Sequence, residues 1–175
     1  MKKLSALLLS IIVAVSVCGC SIPNDSAPKK ETGNSSNTQA AKKEEKNFGL
    51  NDTAVFDAIK VTATDIKQSK GDEIFTCEEG KIFVGVKFTI ENISEETKHI
   101  SSLLLFDAYE DGVKLEYSFS ASACFDGTLD GEITPGKKLV GYYGVEVSKD
   151  WKELELQVKS SWLSDNRAAF IFTNN

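Results

Sequence analysis

The residues from 82 to 90 constrain the fold of this chain most, because every even-numbered position in that run is Ile, Val or Phe. Successive side chains of a β-strand point to opposite faces, so this spacing places all five apolar side chains on one face. The same side chains would be scattered around the circumference of a helix. The run therefore predicts a half-buried strand.

Similar runs follow one another through the rest of the chain. They occupy residues 59–63, 103–109, 113–117, 139–147, 154–158 and 168–173. Asp111-Gly112 between two of them indicates a tight hairpin, and Pro135-Gly136 is typical of a type II turn. Seven or eight short strands without a long helix predict an all-β, antiparallel, immunoglobulin-like β-sandwich. The Cys–Trp–Cys spacing of antibody domains is absent, because both tryptophans follow the last cysteine.

The first 20 residues have the layout of an export signal. Lys2 and Lys3 precede a 14-residue apolar run over residues 4–17, which is shorter than the roughly 20 residues of a spanning helix. The Val-x-Gly-Cys ending resembles the bacterial lipobox, which implies cleavage between Gly19 and Cys20 and a lipid on Cys20. The alternatives are an ordinary signal peptide and an uncleaved membrane anchor.

Residues 20–48 differ in composition from the chain that follows. Ile22 and Phe48 are their only large apolar side chains, among many Ser, Asn, Lys and Glu residues. Such a segment cannot bury enough surface to offset the entropy of ordering. We therefore predict a signal peptide over 1–19, a lipidated and disordered tether over 20–48, and a folded domain over 49–175.

The charge of the domain excludes one class of partner. Residues 49–175 contain 13 basic and 22 acidic side chains, a net charge of −9. Such a surface repels the phosphate backbone, so nucleic-acid binding is not expected. It also repels anionic lipid headgroups, so attachment to the membrane would depend on the lipid alone.

Residues suited to catalysis or metal binding are few. His99 is the single histidine, and no Gly-x-Ser-x-Gly motif accompanies it, so we expect neither an enzyme nor a cofactor. No metal site is predicted: the acidic segment 126–132 could offer calcium ligands, but glycine–acid clusters are more often solvated turns. Cys77 and Cys124 are a candidate disulfide in an exported protein, or else two free thiols.

Two further patterns have simple explanations. Asn92-Ile93-Ser94 matches a glycosylation acceptor, but a turn beginning at Asn92 explains it better. Tyr142, Tyr143 and Trp151 could form an exposed aromatic surface. Adjacent residues of a strand point in opposite directions, however, so one of the two tyrosines should face the core.

The segment Gly80-Lys81 through Asn92 resembles the Gly-Lys, alternating-strand, Asn pattern of the DUF4352 family of bacterial lipoproteins and secreted proteins. Asp111-Gly112, the segment 131–137, the strand 141–147 and Leu154-Glu155-Leu156 are similar to its later landmarks. The resemblance covers about residues 52–173. It implies an immunoglobulin-like β-sandwich related to a mycobacterial secreted antigen, in a family found mainly in Gram-positive bacteria, and it implies no catalytic residues.

These observations together predict a lipoprotein tethered by Cys20 to the outer face of the cell membrane. Its domain is expected to bind a protein or another envelope component without catalysis, through a sheet edge or the loops at one end of the sandwich. The alternative is a solute-binding or accessory lipoprotein of a transport system.

Overall fold

A computed structural model describes residues 28–31 and 47–174. Its first half contains β1 (Lys29–Glu31), β2 (Asn47–Phe48), β3 (Thr53–Val55), β4 (Ile59–Ser69), β5 (Lys81–Asn92), β6 (Lys98–Ile100) and helix α1 (Ser102–Leu105). Its second half contains β7 (Phe106–Glu110), β8 (Val113–Leu115), helix α2 (Phe119–Ala123), β9 (Gly131–Ile133), β10 (Lys138–Ser148), β11 (Glu153–Lys159) and β12 (Arg167–Thr173). None of the described helices is long and apolar enough to span a membrane.

The strands form two five-stranded sheets. Sheet A has the order β1-β3-β4-β5-β10, and sheet B has the order β2-β12-β11-β7-β8. Neighbours in both sheets are antiparallel except β2 and β12, while β6 and β9 form a small separate sheet. The predicted all-β sandwich is confirmed. The strands without a predicted counterpart are β1, β2, β3, β6 and β9, each of two or three residues.

The core lies between the two sheets. Phe88 of sheet A contacts Phe106 and Phe170 of sheet B, each with ring centroids 5.2 Å apart. All three side chains are buried, as are the even-numbered positions of β5 that the alternation placed on one face. Face-to-face packing of two apolar faces is what the period-two pattern requires.

Helix α1 corrects the sequence interpretation of residues 103–109. The structure places a helical turn over Ser102–Leu105, and the strand begins only at Phe106. Asp130 holds the start of the turn, because its carboxylate accepts hydrogen bonds from the Ser102 N–H at 2.8 Å and the Ser102 hydroxyl at 2.9 Å. The turn leaves Leu103 59% exposed.

The N-terminal boundary of the sandwich also differs from the prediction. Lys29–Glu31 pairs with β3 at the edge of sheet A, although it lies in the segment predicted to be disordered. Phe48 is in the core, 5.2 Å from the Phe170 ring, so the domain begins before residue 49. Gly19 and Cys20 lie outside the described residues.

Glycines in the strands let one segment cross sheet A closely. The chain from 118 to 130 covers the outer face of the sheet at Gly85 and Gly144, then passes β10 at Gly141. A Cβ on these glycines would lie 2.6 Å from the Phe125 ring, 2.3 Å from the Ala121 carbonyl oxygen and 2.5 Å from Thr128 backbone, respectively. A glycine inside a strand often marks a place where another part of the backbone lies close to the strand.

Candidate binding groove

An open groove of about 510 Å³ lies beside β8, at the edge of sheet B. Its wall from sheet B is formed by β7 and β8, its wall from sheet A by Tyr143 of β10, and its rim by Leu103 of α1. The groove is lined by Leu103, Phe106, Asp107, Ala108, Lys114, Leu115, Glu116, Tyr117 and Tyr143. Most of this lining is apolar or aromatic, which is usual for ligand sites.

Tyr143 supplies the polar group in the wall. Its side chain is 4% exposed and stacks on Phe106 with ring centroids 4.7 Å apart. Burial raises the pKa of the Tyr143 hydroxyl, and the neighbouring Tyr117 and Asp107 add to the effect, so the group stays protonated at neutral pH. Within the described part of the chain, that hydroxyl has no hydrogen-bond partner. The hydroxyl oxygen is not among the buried unpaired atoms of the described residues, so it is open to the groove, where water or a ligand can bond to it.

Three cations surround one carboxylate next to the groove. Asp107 accepts from Lys114 Nζ at 2.8 Å, Lys159 Nζ at 3.0 Å and Arg167 Nη1 at 2.9 Å. Burial alone would raise the pKa of Asp107, but the hydrogen bonds from Lys114 and Lys159 outweigh it and lower the pKa to about 2. These four side chains, named the Asp107 cluster, form a positive region on an acidic domain.

The lowered pKa of Asp107 predicts a dependence of stability on pH. Replacing Asp107→Asn should cost about 2 kcal/mol of unfolding free energy at pH 7, because the carboxylate is charged in the folded and the unfolded chain and gains its cations only on folding. Below the unfolded pKa near 4, protons compete with these contacts, and the contribution disappears as the pH falls towards about 2.

Urea unfolding of both forms at pH 7 and at pH 2.5 measures this difference. The exposed Asp57→Asn is the matched control and should change stability by less than about 0.5 kcal/mol at either pH. An Asp107→Asn loss that is equal at the two pH values would contradict the electrostatic explanation.

The two candidate disulfide cysteines, Cys77 and Cys124, are unbonded in the structure, and their disulfide stays a prediction. Both sulfurs are hydrogen bonded to Ser69: Cys77 Sγ lies 3.9 Å from its carbonyl oxygen, and Cys124 Sγ lies 3.3 Å from its hydroxyl. The thiols therefore converge on one residue of β4. Burial raises the pKa of Cys77, and the Glu146 carboxylate adds to it, so Cys77 lacks the lowered pKa of a reactive thiol.

The other residues singled out in the sequence do not line the groove, although Asp130 holds the helix α1 at its rim. His99 is exposed on β6, with Nδ1 3.4 Å from Glu132 Oε1. The Asp130 carboxylate of the acidic segment accepts hydrogen bonds from Ser102 and Thr128. No group of three or more potential metal ligands occurs in residues 28–31 and 47–174.

Tyr142, Tyr143 and Trp151 do not form the exposed aromatic surface that was the less favoured interpretation of these residues. Tyr143 faces the core as predicted, but Tyr142 on the outer face and Trp151 are buried as well. Phe125 covers Tyr142 with ring centroids 5.4 Å apart, and the Tyr142 hydroxyl donates to Asp65 at 2.6 Å. The exposed apolar or aromatic side chains in the groove lining are instead Leu103 and Tyr117. Sequence reasoning missed the groove, because Leu103 and Leu104 looked like core positions of a strand.

Comparison with known families gives a direct match. The profile of the family described as "Domain of unknown function (DUF4352)" matches residues 48–169, which is more than half of the chain. The chain belongs to this family. The DUF4352 match begins at Phe48, which is also the first residue of the hydrophobic core along the described chain. A search of curated proteins found no significant match.

Solved structures share the fold at low sequence identity. A "putative lipoprotein (ycdA)" from Bacillus subtilis is 18% identical with a TM-score of 0.52; the match covers 67% of this chain but only 37% of that one. A conserved hypothetical protein from Bacillus anthracis is 15% identical with a TM-score of 0.53, covering 70% and 94%. A β-sandwich protein from Clostridium difficile 630 is 19% identical with a TM-score of 0.48, covering 78% and 100%. The first two support the sandwich fold of this DUF4352 domain.

Proposed function

We propose that this chain is a lipoprotein anchored through Cys20 to the outer face of the cell membrane, and that its sandwich domain binds a partner without catalysis. The Val-x-Gly-Cys sequence at residues 17–20 supports the anchor. The observation that carries the binding function is the open groove whose wall contains the Tyr143 hydroxyl, which has no hydrogen-bond partner among the described residues and is open to the groove. A groove that combines apolar walls with polar and charged groups suits recognition, since the apolar walls supply affinity and the polar groups fix orientation.

Cross-linking in living cells tests this function on the full-length chain. A photo-reactive amino acid replaces Leu103, which is 59% exposed on the rim of the groove. The matched control carries it at Asp57, in the turn before β4, since β4 is separated from the edge strand β10 by β5. We expect position 103 to form a discrete adduct in the membrane fraction and position 57 to form at least tenfold less of it.

The same cells test the anchor. Replacing Cys20→Ala should move the chain out of the carbonate-washed membrane fraction and reduce the adduct, whereas Cys18→Ala should leave both unchanged. A chain that stays in the membrane after Cys20→Ala would refute the lipid anchor. An adduct pattern that is the same at positions 103 and 57 would refute the groove as the binding site.

A further inference from the structure

We propose that the groove takes an extended peptide segment of a partner protein, which adds to the free edge of β8 as a further strand and carries the pattern apolar–acidic–apolar. This inference rests on the proposed binding function and names its partner chemistry. Three observations carry it: a strand edge that is unpaired among the described strands, apolar space beneath that edge, and three cations above it.

The edge of β8 has hydrogen-bonding groups available. β8 is the last strand of sheet B and pairs only with β7 among the described strands. Asp111 and Gly112 both have positive φ, 48° and 81°, as in a type I′ turn, where the flanking pair Glu110–Val113 is hydrogen bonded. Because pairs alternate along an antiparallel ladder, the next pair is not, and the N–H and C=O of Lys114 point away from β7.

The groove lies on the inner side of that edge. Leu115 pairs with the buried Ala108 and faces inward with it. A residue of an added strand opposite Leu115 would point inward too, into the space bounded by Phe106, Tyr143 and Leu115. There an apolar side chain finds apolar walls, and the Tyr143 hydroxyl can donate to a nearby carbonyl of the incoming segment. Val113, 68% exposed on the same face, offers a second apolar contact two positions away.

The outer side of the edge has the opposite character. Lys114 points outward to Asp107, where Lys159 and Arg167 also converge. Glu116 and Glu155 also belong to this face, so three cations meet three carboxylates here, and the face is close to neutral on a domain of −9. A partner residue opposite Lys114 would point to this corner, so an acidic side chain is favoured there. The remaining surface repels an acidic segment, which adds specificity for β8.

Recognition of this kind separates affinity from specificity. Main-chain hydrogen bonds at Lys114 would hold any extended segment, while the alternating pockets select its side chains. A three-residue edge strand offers few such bonds, so the inward-facing apolar side chains must contribute much of the affinity. Free edges are ordinarily protected because they pair with other chains. Here β8 is short, which limits unspecific pairing.

The test compares Lys114→Pro with Lys114→Ala in cells bearing the photo-reactive residue at position 103. Both variants lose the Lys114 charge, but only proline lacks the N–H, so Lys114→Pro should reduce the adduct at least fivefold more than Lys114→Ala. Lys114→Arg keeps both the N–H and the charge and should give more adduct than either. Lys114→Glu keeps the N–H but reverses the charge, and should reduce the adduct about fivefold or more. Proline is tolerated where an edge N–H faces solvent.

A defined probe gives the same information without the natural partner. The lipidated chain, purified in detergent, is titrated with a fluorescent blocked peptide Thr-Val-Glu-Val-Thr, and with Thr-Val-Lys-Val-Thr as control. Binding of the Glu peptide should be at least fivefold tighter, and Lys114→Glu should reverse the preference. If Lys114→Pro lowers the melting temperature by more than a few degrees, the proline variant is not used. The test then depends on whether Lys114→Glu reverses the preference between the two peptides.

The outcomes separate this inference from the proposed function. No adduct at position 103 in the parent chain would refute the proposed function itself. An adduct that persists in folded Lys114→Pro at the level of Lys114→Ala would leave the groove as a binding site but overturn strand addition. Equal binding of the two peptides would overturn the acidic preference.

Discussion

Replacing Asn92→Ala should lower the free energy of unfolding by about 3 kcal/mol. Asn92 is fully buried at the end of β5, and its amide nitrogen donates to the Glu96 and Ile133 carbonyl oxygens, each at 2.7 Å. Its amide oxygen accepts from the Ser94 N–H at 3.0 Å and the Ser94 hydroxyl at 2.8 Å. Alanine leaves the Ile133 carbonyl buried without this donor, and an orphaned buried group costs about 1–3 kcal/mol.

Urea unfolding at pH 7 measures the loss, which corresponds to roughly 10 °C in melting temperature. Ser94→Ala is the matched control. It removes the hydroxyl that donates to the Asn92 oxygen but keeps both hydrogen bonds that the Asn92 amide nitrogen donates, so it should cost only about 1 kcal/mol. If Asn92→Ala proved no worse than Ser94→Ala, the bond to Ile133 would not be what holds this corner together.

Asn92→Ala should also disturb the groove. Ile133 belongs to β9, which pairs with β6, and the chain runs from β6 directly into α1 with Leu103 at its rim. Asn92 therefore supports the element that forms one side of the groove. Its complete burial also explains why the Asn-x-Ser pattern is not a usable glycosylation acceptor in the folded domain.

Replacing Gly144→Ala should lower the free energy of unfolding by a similar amount, about 3 kcal/mol, for a steric reason. A Cβ at this position would lie 2.3 Å from the Ala121 carbonyl oxygen and 2.4 Å from its carbon. Both atoms are backbone, so α2 would have to move away from sheet A. Overpacking typically costs 1–3 kcal/mol even where side chains can adjust, and a backbone contact places Gly144 at the upper end.

Gly49→Ala is the control for the loss of glycine itself. Its Cβ would find only Asp52 Oδ2, at the ordinary distance of 3.8 Å, and we expect a change within about 0.5 kcal/mol. Urea midpoints of the two variants compare them directly. A Gly144→Ala midpoint equal to that of Gly49→Ala would show that α2 is not held closely against β10.

Local patterns predicted those parts of the fold that depend on neighbours in the chain. Alternation located β5, β10, β11 and β12 within one or two residues. The Asp111-Gly112 hairpin is confirmed, and so is the turn at Gly136, which has φ 71°. Strand alternation and turn conformation both follow from a few consecutive residues, so the sequence contains enough information for them.

The groove could not be predicted in this way. The run 103–109 alternates too little to distinguish a strand from a helical turn, and the decision came from Asp130, far along the chain, which binds Ser102. The Asp107 cluster likewise joins residues of β7, β8, β11 and β12. Nothing in the spacing of these residues indicates that they meet.

The sequence by itself determined the sandwich class, its longer strands and its tight turns, because side-chain alternation and backbone preferences act over short distances. It also provides the basis for the proposed anchor at Cys20. Only the tertiary structure decided that the Tyr143 hydroxyl opens onto a groove, that β8 pairs with β7 alone among the described strands, and that three cations gather at Asp107. These features arise where distant segments meet, and the free energy of such contacts depends on the arrangement of both sheets.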